Sequence, residues 1–417
     1  MNQVDNRIES IVDNLFRVEY GKVVGYLTKK FGSRYFELVE DSVQESLFMA
    51  MKTWPHRSVP DNPSAWIFRA ANNKMIDRLR KVSKLEYVSE PNLGSITEER
   101  SQFYEIDDQL KDEQLMMLFA CCHPDLSVEY QIILSLKILC GLSIKEISTC
   151  LLKKESTVAK SYTRAKQRFI DKNIAVELPP NSQLKSRLDV VMKVIYLLFN
   201  EGYKTTEGEQ LLNIDLCTEA IRLCQLLIEH DLCECDEAHA LIALMYFHVA
   251  RFESRVSREG DLITLEMQNR SLWDTKMIKT GSYHLSKSIE GMKYSEYHFQ
   301  AAIAALHCKA KSYKDTNWSE ILSLYNAMLK IKPSPVCRLN RLVPLSKVKG
   351  PETALKEINE IGASGFFDSY YLYHVIKAQL HKELDQNTQS LAAYKKAYEL
   401  TKNLREKEFI KKKLDQC

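Results

Sequence analysis

The 417-residue sequence contains no apolar run of the roughly 18 residues that a membrane-spanning helix needs. Its N-terminus, MNQVDNRIES, is polar and does not resemble a secretory signal. No phosphate-binding loop, Ser/His/Asp spacing or paired C-x-x-C motif is present, so we expect neither an enzyme nor a protein with a metal or other cofactor. The 11 cysteines are scattered, which favours reduced thiols in a cytoplasmic protein without membrane contact.

Sustained alternation of apolar and polar residues, the pattern of strands, is also missing, whereas apolar residues recur at helical spacing along most of the chain. The pattern therefore predicts an all-α protein, and its length allows two or three domains. The net charge is only +3, but residues 86–113 hold 9 acidic side chains against 2 basic ones and include Pro91 and Gly94. Such a stretch is typical of a linker.

A basic helix-turn-helix pattern covers residues 141–170. We predict a short helix over residues 144–152 and a turn at residues 153–154. Ser156 or Thr157 is the expected cap of a second helix. The outward face of that second helix carries polar and cationic side chains suited to bases and phosphates in a DNA major groove, namely Lys160, Thr163, Arg164, Lys166 and Arg168. The candidate DNA-binding residues are Thr157, Lys160, Thr163, Arg164 and Lys166.

A second pattern covers residues 38–81. It begins with a helix that carries D-x-V-Q-E from Asp41 to Glu45, continues through a proline-rich loop, and ends in a basic helix that reads A-W-I-F-R-A-A-N-N-x-x-I-D-R-L-R. Together and in this order, the two patterns resemble region two and region four of bacterial RNA polymerase sigma factors of the small extracytoplasmic-function type.

This resemblance implies two partners, core RNA polymerase at its β′ clamp and β flap, and promoter DNA. The clamp is expected to dock on Asp41, Gln44 and Glu45, since carboxylates suit a basic partner helix. Region two is expected to bind unstacked bases and backbone of the minus-ten element through Trp66, Arg69, Asn72, Asn73, Arg78 and Arg80. Core packing remains an alternative for Trp66. Region four would read the minus-thirty-five element, although Ala159 and Ser161 stand where the wider family often has arginines.

Residues 173–417 form helical patterns joined by short turns, which indicates a helical solenoid. Ala378, Tyr394 and Ala397 have the spacing of small and aromatic residues in tetratricopeptide repeats. The extension also resembles a subgroup of these sigma factors with a C-terminal tetratricopeptide-type domain, and the motifs that carry the resemblance include Asn200-Glu201-Gly202-Tyr203, Arg270-Ser271-Leu272-Trp273-Asp274 and Asp315-Thr316-Asn317-Trp318. We expect Gly202 to end a helix, and a further helix over residues 270–289.

The predicted organisation is a region-two domain at 1–85, an acidic linker at 86–108, a region-four domain at 109–172 and a tetratricopeptide-like extension at 173–417. The extension is expected to regulate activity, either alone or by binding a regulatory protein. Two alternatives remain: a helix-turn-helix regulator with a solenoid sensor, which would bind DNA without polymerase, and a tetratricopeptide-type scaffold without promoter function.

Overall fold

The protein is described by a computed structural model that covers residues 19–57, 59–86, 105–151, 153–205, 211–257, 260–291, 294–363 and 365–415. Across these ranges the secondary structure is helical apart from turns and one isolated antiparallel bridge between Val256 and Leu262. The all-α prediction is confirmed. None of the described helices is sufficiently long and apolar to span a membrane.

The chain divides into two compact units, the first comprising Met1–Leu198 with Thr218–Leu226 and the second Phe199–Cys217 with Leu227–Cys417. The predicted boundary after residue 172 differs from this division. Most of the predicted acidic linker, residues 87–104, lies outside the described residues, and residues 105–108 are helical.

The helices of the first unit, and the two that contribute residues to both units, are α1 (residues 19–31), α2 (Phe36–Arg57), α3 (Pro63–Glu86), α4 (Glu105–Cys121), α5 (Val128–Ile138), α6 (Ile144–Cys150), α7 (Glu155–Asp171), α8 (Asn181–Tyr203) and α9 (Ile214–Glu229). Helices α2 and α3 pack against each other. Each buries apolar side chains three or four residues apart, Val39, Val43, Leu47, Ala50 and Trp54 on α2 and Ile67, Ala71, Met75 and Leu79 on α3. These stripes fix which side of each helix is left for partners.

Helices α6 and α7 form the predicted helix-turn-helix, and α5 packs against both. Ser143 caps α6 through a reciprocal pair of bonds, in which the Ser143 amide donates to Glu146 Oε2 (2.6 Å) and the Glu146 amide donates to Ser143 Oγ (3.1 Å). The predicted cap of α7 is wrong. Lys154 is the N-cap and makes no side-chain bond, so Ser156 and Thr157 lie inside the first turn.

The remaining helices belong to the second unit: α10 (Asp236–Val249), α11 (Phe252–Arg255), α12 (Thr275–Ser288), α13 (Glu296–Lys309), α14 (Trp318–Ile331), α15 (Pro335–Lys349), α16 (Pro351–Gly362), α17 (Tyr371–Glu383), α18 (Asn387–Leu400) and α19 (Leu404–Leu414). From α13 to α19 each helix packs against the next along the chain. Ala378, Tyr394 and Ala397 lie in one buried cluster with Ile410, as their spacing predicts. Successive stacking of this kind is the architecture of helical-repeat domains.

Two helix boundaries in the second unit differ from the predictions. The helix expected over residues 270–289 begins at Thr275, because Asp274 Oδ1 accepts hydrogen bonds from the amides of Lys276 (2.7 Å) and Met277 (3.1 Å). Gly202 does not end α8, which continues to Tyr203.

Gly202 is instead required by a close contact. A Cβ at this position would lie 2.8 Å from both Cys217 Sγ and Leu216 Cβ, and the Asn213 amide donates to the Gly202 carbonyl at 2.7 Å. A side chain at residue 202 would therefore push the start of α9 away.

Candidate nucleic-acid interface

The predicted docking residues Asp41, Gln44 and Glu45 lie together on an exposed face of α2, called here the acidic face. Glu45 pairs with two cations of α3, Arg78 at 2.5 Å and Lys74 at 3.0 Å, and Asp41 lies 3.6 Å from Arg78. The hydrogen bond from Lys74 is the main cause of the lowered pKa of Glu45. The side chains of Asp41 and Glu45 are still 63% and 51% exposed, so both carboxylates face solvent.

Exposed apolar side chains continue α2 beyond the acidic face. Phe48, Met49 and Met51 are 55%, 38% and 41% exposed, and the Lys52 ammonium lies 4.3 Å from the centre of the Phe48 ring. Sequence reasoning missed these residues. Their signal is positional, because Phe48 and Met49 follow Asp41 and Glu45 by seven and four residues and so share their side of the helix.

Four of the six predicted minus-ten residues, Trp66, Arg69, Asn73 and Arg80, occur at i, i+3, i+7 and i+14 along one side of α3, called here the α3 row. Arg69, Asn73 and Arg80 are exposed. Trp66 is half-buried, and its ring meets the buried Trp54 ring edge-on at 5.5 Å between centroids. Trp66 therefore both packs against the core and keeps part of its ring exposed.

The other two predicted residues, Asn72 and Arg78, lie off this row. The guanidinium of Arg78 points to α2, where it pairs with the acidic face and donates to the Leu38 carbonyl at 3.3 Å. Asn72 is half-buried, and its Oδ1 atom has no hydrogen-bond partner among the described residues. The Arg78 side chain therefore helps to hold α3 against α2.

On α7, four of the predicted minus-thirty-five residues, Thr157, Lys160, Thr163 and Arg164, are exposed and follow one another at helical spacing, forming what we call the α7 row. The opposite side of the helix buries Val158, Ala165 and Phe169 in the core of the first unit. The core contacts therefore turn the two threonines and two cations outward, which is the orientation that a groove-binding helix needs.

Lys166, the fifth predicted residue, is turned away from the α7 row and toward α2. Its ammonium pairs with Glu40 at 3.2 Å and with Glu37 at 3.3 Å. Burial alone would lower the pKa of Lys166, but the two carboxylates raise it overall. In this structure the Lys166 charge is therefore paired with carboxylates of α2.

Glu40 lies at the centre of this contact and is only 4% exposed. Its Oε1 atom accepts hydrogen bonds from the Tyr162 hydroxyl of α7 (2.6 Å) and the Tyr20 hydroxyl of α1 (3.1 Å). Burial, and then the Glu40 charge, raises the pKa of both tyrosines, so the two hydroxyls remain protonated donors. Helices α1, α2 and α7 are joined at one carboxylate.

Further contacts extend the packing between the two sequence patterns. The rings of Phe36 and Phe169 lie 5.1 Å apart, and the Ser33 hydroxyl lies 3.0 Å from Asn173 Oδ1. Gly21 of α1 approaches the backbone at the end of α5 so closely that a Cβ would lie 2.7 Å from the Leu139 oxygen. The region-two and region-four helices therefore form one compact body.

The motif residues of the extension have mixed surroundings within the second unit. Asn200 is exposed, whereas Glu201 is 5% and Trp273 4% exposed. The Tyr203 ring stacks on Phe199 at 5.9 Å and lies under the Arg255 guanidinium at 3.6 Å. Asp274 caps α12. These positions suggest structural roles for most of the motif.

Cys122 and Cys233, each next to or near another cysteine in the sequence, are buried thiols. Burial raises the pKa of Cys122 to about 12 and that of Cys233 to about 11. Among the residues that the structure describes, no group of three or more His, Cys, Asp or Glu side chains could hold a metal ion.

Comparisons with known proteins agree with the two sequence patterns. A family model of sigma-70 region 2 matches residues 15–85, and one of sigma-70, region 4, matches residues 116–169. A third model, of a family of unknown function (DUF6596), matches residues 187–289. An uncharacterized protein of Rhizobium meliloti (strain 1021) is 35% identical over 399 residues, which cover 94% of this chain and 93% of that protein. No solved structure matches.

The chain belongs to the sigma-70 family, with regions two and four of the extracytoplasmic-function type followed by a C-terminal extension. The resemblance drawn from the sequence is confirmed. Families with these regions are non-enzymatic initiation factors that act in promoter-directed transcription with core RNA polymerase and promoter DNA.

Substituting Tyr162 by Phe removes one donor to the buried Glu40 carboxylate. We expect this change to lower the free energy of unfolding of the first unit by about 1–3 kcal/mol, the usual penalty for a buried polar group that loses a partner. Urea unfolding of the full chain measures it. Tyr130→Phe on α5 is the control, since no bond of its hydroxyl is described, and equal effects of the two substitutions would contradict the role assigned to Glu40.

Proposed function

We propose that the protein is a sigma factor that binds core RNA polymerase through α2 and directs initiation at promoters read by α3 and α7. The observation that carries this proposal is the exposure of two separate polar rows, one on each helix, within the segments that resemble regions two and four. A helix-turn-helix regulator would need the α7 row alone, and a scaffold would need neither.

The acidic face of α2 and the exposed Phe48, Met49 and Met51 form the polymerase-docking surface. Its chemistry combines carboxylates for a basic clamp helix with apolar side chains that gain from burial. Arg78 and Lys74 hold the two carboxylates against α3. They fix the orientation of the acidic face before the partner arrives, which reduces the entropy lost on binding.

The α3 row binds the single-stranded minus-ten element. Trp66 offers a ring edge for base contact, Asn73 offers an amide for base hydrogen bonds, and Arg69 and Arg80 hold the backbone. The α7 row enters the duplex at the minus-thirty-five element, where Lys160 and Arg164 contact phosphates and the two threonines face bases. Arg78 serves in positioning α3, and Lys166 joins the DNA contacts only after it leaves Glu40.

Promoter binding requires the first unit to open. The two promoter elements are separated by roughly 25 base pairs, or about 85 Å of duplex at about 3.4 Å per step. Rings of the two regions lie 5.1 Å apart at Phe36 and Phe169, and Tyr162 bonds directly to Glu40. The free chain is therefore a closed form, and polymerase binding separates the regions.

The extension sets the activity of the sigma regions, alone or with a regulatory protein bound to its helical repeats. A domain fused to the same chain has an effective local concentration on the order of millimolar, so a weak contact with the sigma regions or with polymerase is sufficient.

Reversing the charge of the acidic face tests polymerase docking. Asp41→Arg combined with Glu45→Arg should weaken co-elution with core polymerase at least tenfold, because like charges then oppose the basic partner. Gel filtration of the full chain with core polymerase measures the effect, with unfolding curves to check stability. Glu352→Arg with Glu360→Arg, on the exposed side of α16, is the matched control. Unchanged co-elution of the α2 variant would remove this docking surface.

Removing cations from the α7 row tests promoter reading. Lys160→Ala and Arg164→Ala should each reduce run-off transcription and flatten the salt dependence of promoter binding by about one unit of slope, since each loses a phosphate contact. Lys172→Ala, an exposed cation just beyond α7, serves as the control. Normal transcription by both variants at all salt concentrations would show that another helix reads the element.

Removing residues 231–417, most of the extension, tests its regulatory role. A cut after Glu177 would delete residues 178–198 and 218–226 of the first unit, so the chain should end at His230 instead. We expect residues 1–230 to transcribe at least fivefold differently from the full chain, the lower end of typical coupling between sites. Circular dichroism checks that the first unit is folded. Equal transcription by the folded fragment and the full chain would make the extension passive.

A further inference from the structure

Three arginines of the second unit, Arg251, Arg255 and Arg270, are withdrawn from solvent without a carboxylate partner. Arg251 and Arg255 are each 9% exposed, and Arg270 is half-buried. None of the three forms an ion pair with any residue that the structure describes. We call these residues the arginine cluster.

The hydrogen bonds of the arginine cluster go to neutral acceptors. Arg251 donates from Nε and one terminal nitrogen to Gln268 Oε1, both at 3.2 Å, and Arg255 donates to the Tyr203 carbonyl at 2.7 Å. Arg270 donates to the Ala310 carbonyl at 2.8 Å and also to the His307 carbonyl. These dipoles orient the guanidinium groups but supply no negative charge. The carboxylates that act on the cluster, Glu406 on Arg255 and Asp315 on Arg270, do so from beyond ion-pair distance.

Trp273 connects two of the arginines. The guanidinium carbons of Arg251 and Arg270 lie 5.1 Å and 4.7 Å from the centre of its ring. The indole Nε1 of Trp273 is buried and has no hydrogen-bond partner among the described residues. Because an indole nitrogen can only donate, it has an unused donor beside the two guanidinium groups.

Two histidines next to the cluster also have a buried ring nitrogen without a hydrogen-bond partner among the described residues. The Nδ1 atoms of His248 and His307 are buried and have no partner within the described parts of the chain. Burial, and then the charges of Arg251 and Arg270, lowers the pKa of His307 to about 4. Burial, Arg251 and Arg255 lower that of His248 well below its usual value. Both rings are therefore neutral at pH 7 and add no further repulsion.

Buried charges that lack an ion-pair partner are destabilising, even after the surroundings relax. The arginine cluster also joins the motifs of the extension that the sigma function leaves unexplained. Arg270 and Trp273 belong to the 270–274 motif, Arg270 contacts the Thr316 hydroxyl of the 315–318 motif at 3.4 Å, and Arg255 lies over Tyr203. Three separate motifs thus converge on one positive site that has no ion-paired carboxylate among the described residues.

We propose that the arginine cluster binds a small oxyanion, a phosphate or carboxylate group of a small molecule. Guanidinium groups match both groups by paired hydrogen bonds, and the Trp273 indole adds a further donor. The 9% exposure of Arg251 and Arg255 restricts the site to a compact group and excludes a polymer backbone. This site is independent of the proposed sigma function.

Thermal unfolding of the full chain tests the site. Inorganic phosphate or succinate, titrated against sodium chloride of equal ionic strength, should raise the melting temperature by about 5 °C near saturation. A response confined to phosphate identifies a phosphate as the ligand group, and one confined to succinate identifies a carboxylate. No rise with either anion would overturn the proposal.

Variants separate binding at the arginine cluster from general anion effects. Arg251→Gln should unfold at a higher temperature than the wild type in anion-poor buffer, because one uncompensated buried charge is gone, and should need at least tenfold more anion for its response. Arg270→Lys keeps the charge but loses the paired N–H donors of the guanidinium, so it should also need at least tenfold more anion for its response. This variant tests the site even if Arg251→Gln fails to fold. Arg338→Gln, at an exposed position of α15, should respond like the wild type. A full response in Arg270→Lys, or a lost response in Arg338→Gln, contradicts the assignment.

Discussion

The buried carboxylate of Glu40 is the interaction on which the arrangement of the first unit depends. An isolated carboxylate in such a position would be strongly destabilising, and it is retained because the Tyr20 and Tyr162 hydroxyls and the Lys166 ammonium surround it. These donors come from two helices other than its own. The same contact that satisfies the charge therefore determines where α7 lies and which of its side chains face outward.

The sequence was sufficient for the helical class, the order of the two sigma regions and most helix positions, because apolar spacing and motif order depend on the local chain. It was less informative at helix ends. The α7 cap and the role of Gly202 were mispredicted since the first depends on backbone geometry and the second on how closely α9 approaches α8. The position of a helix end and the need for a glycine depend on backbone geometry and on contacts that helical spacing in the sequence does not reveal.

The candidate interface was predicted to a similar degree. Helical spacing places Trp66, Arg69, Asn73 and Arg80 on one side of α3 and identifies four residues of α7. It does not show that Arg78 and Lys166 are directed at carboxylates of α2, because those partners lie 33 to 129 residues away along the chain. The arginine cluster was equally inaccessible, since it forms only when three motifs meet.

Under the proposed function, the pairing of Lys166 with Glu37 and Glu40 has a consequence for non-specific adsorption to DNA. A chromosome offers about 10⁶–10⁹ non-specific sites, and each cation on a groove-binding helix strengthens adsorption to all of them. Two carboxylates pair with the Lys166 ammonium in the way that DNA phosphates would. They therefore lower this non-specific adsorption. A sigma factor of the proposed kind would then bind polymerase before it binds DNA more often.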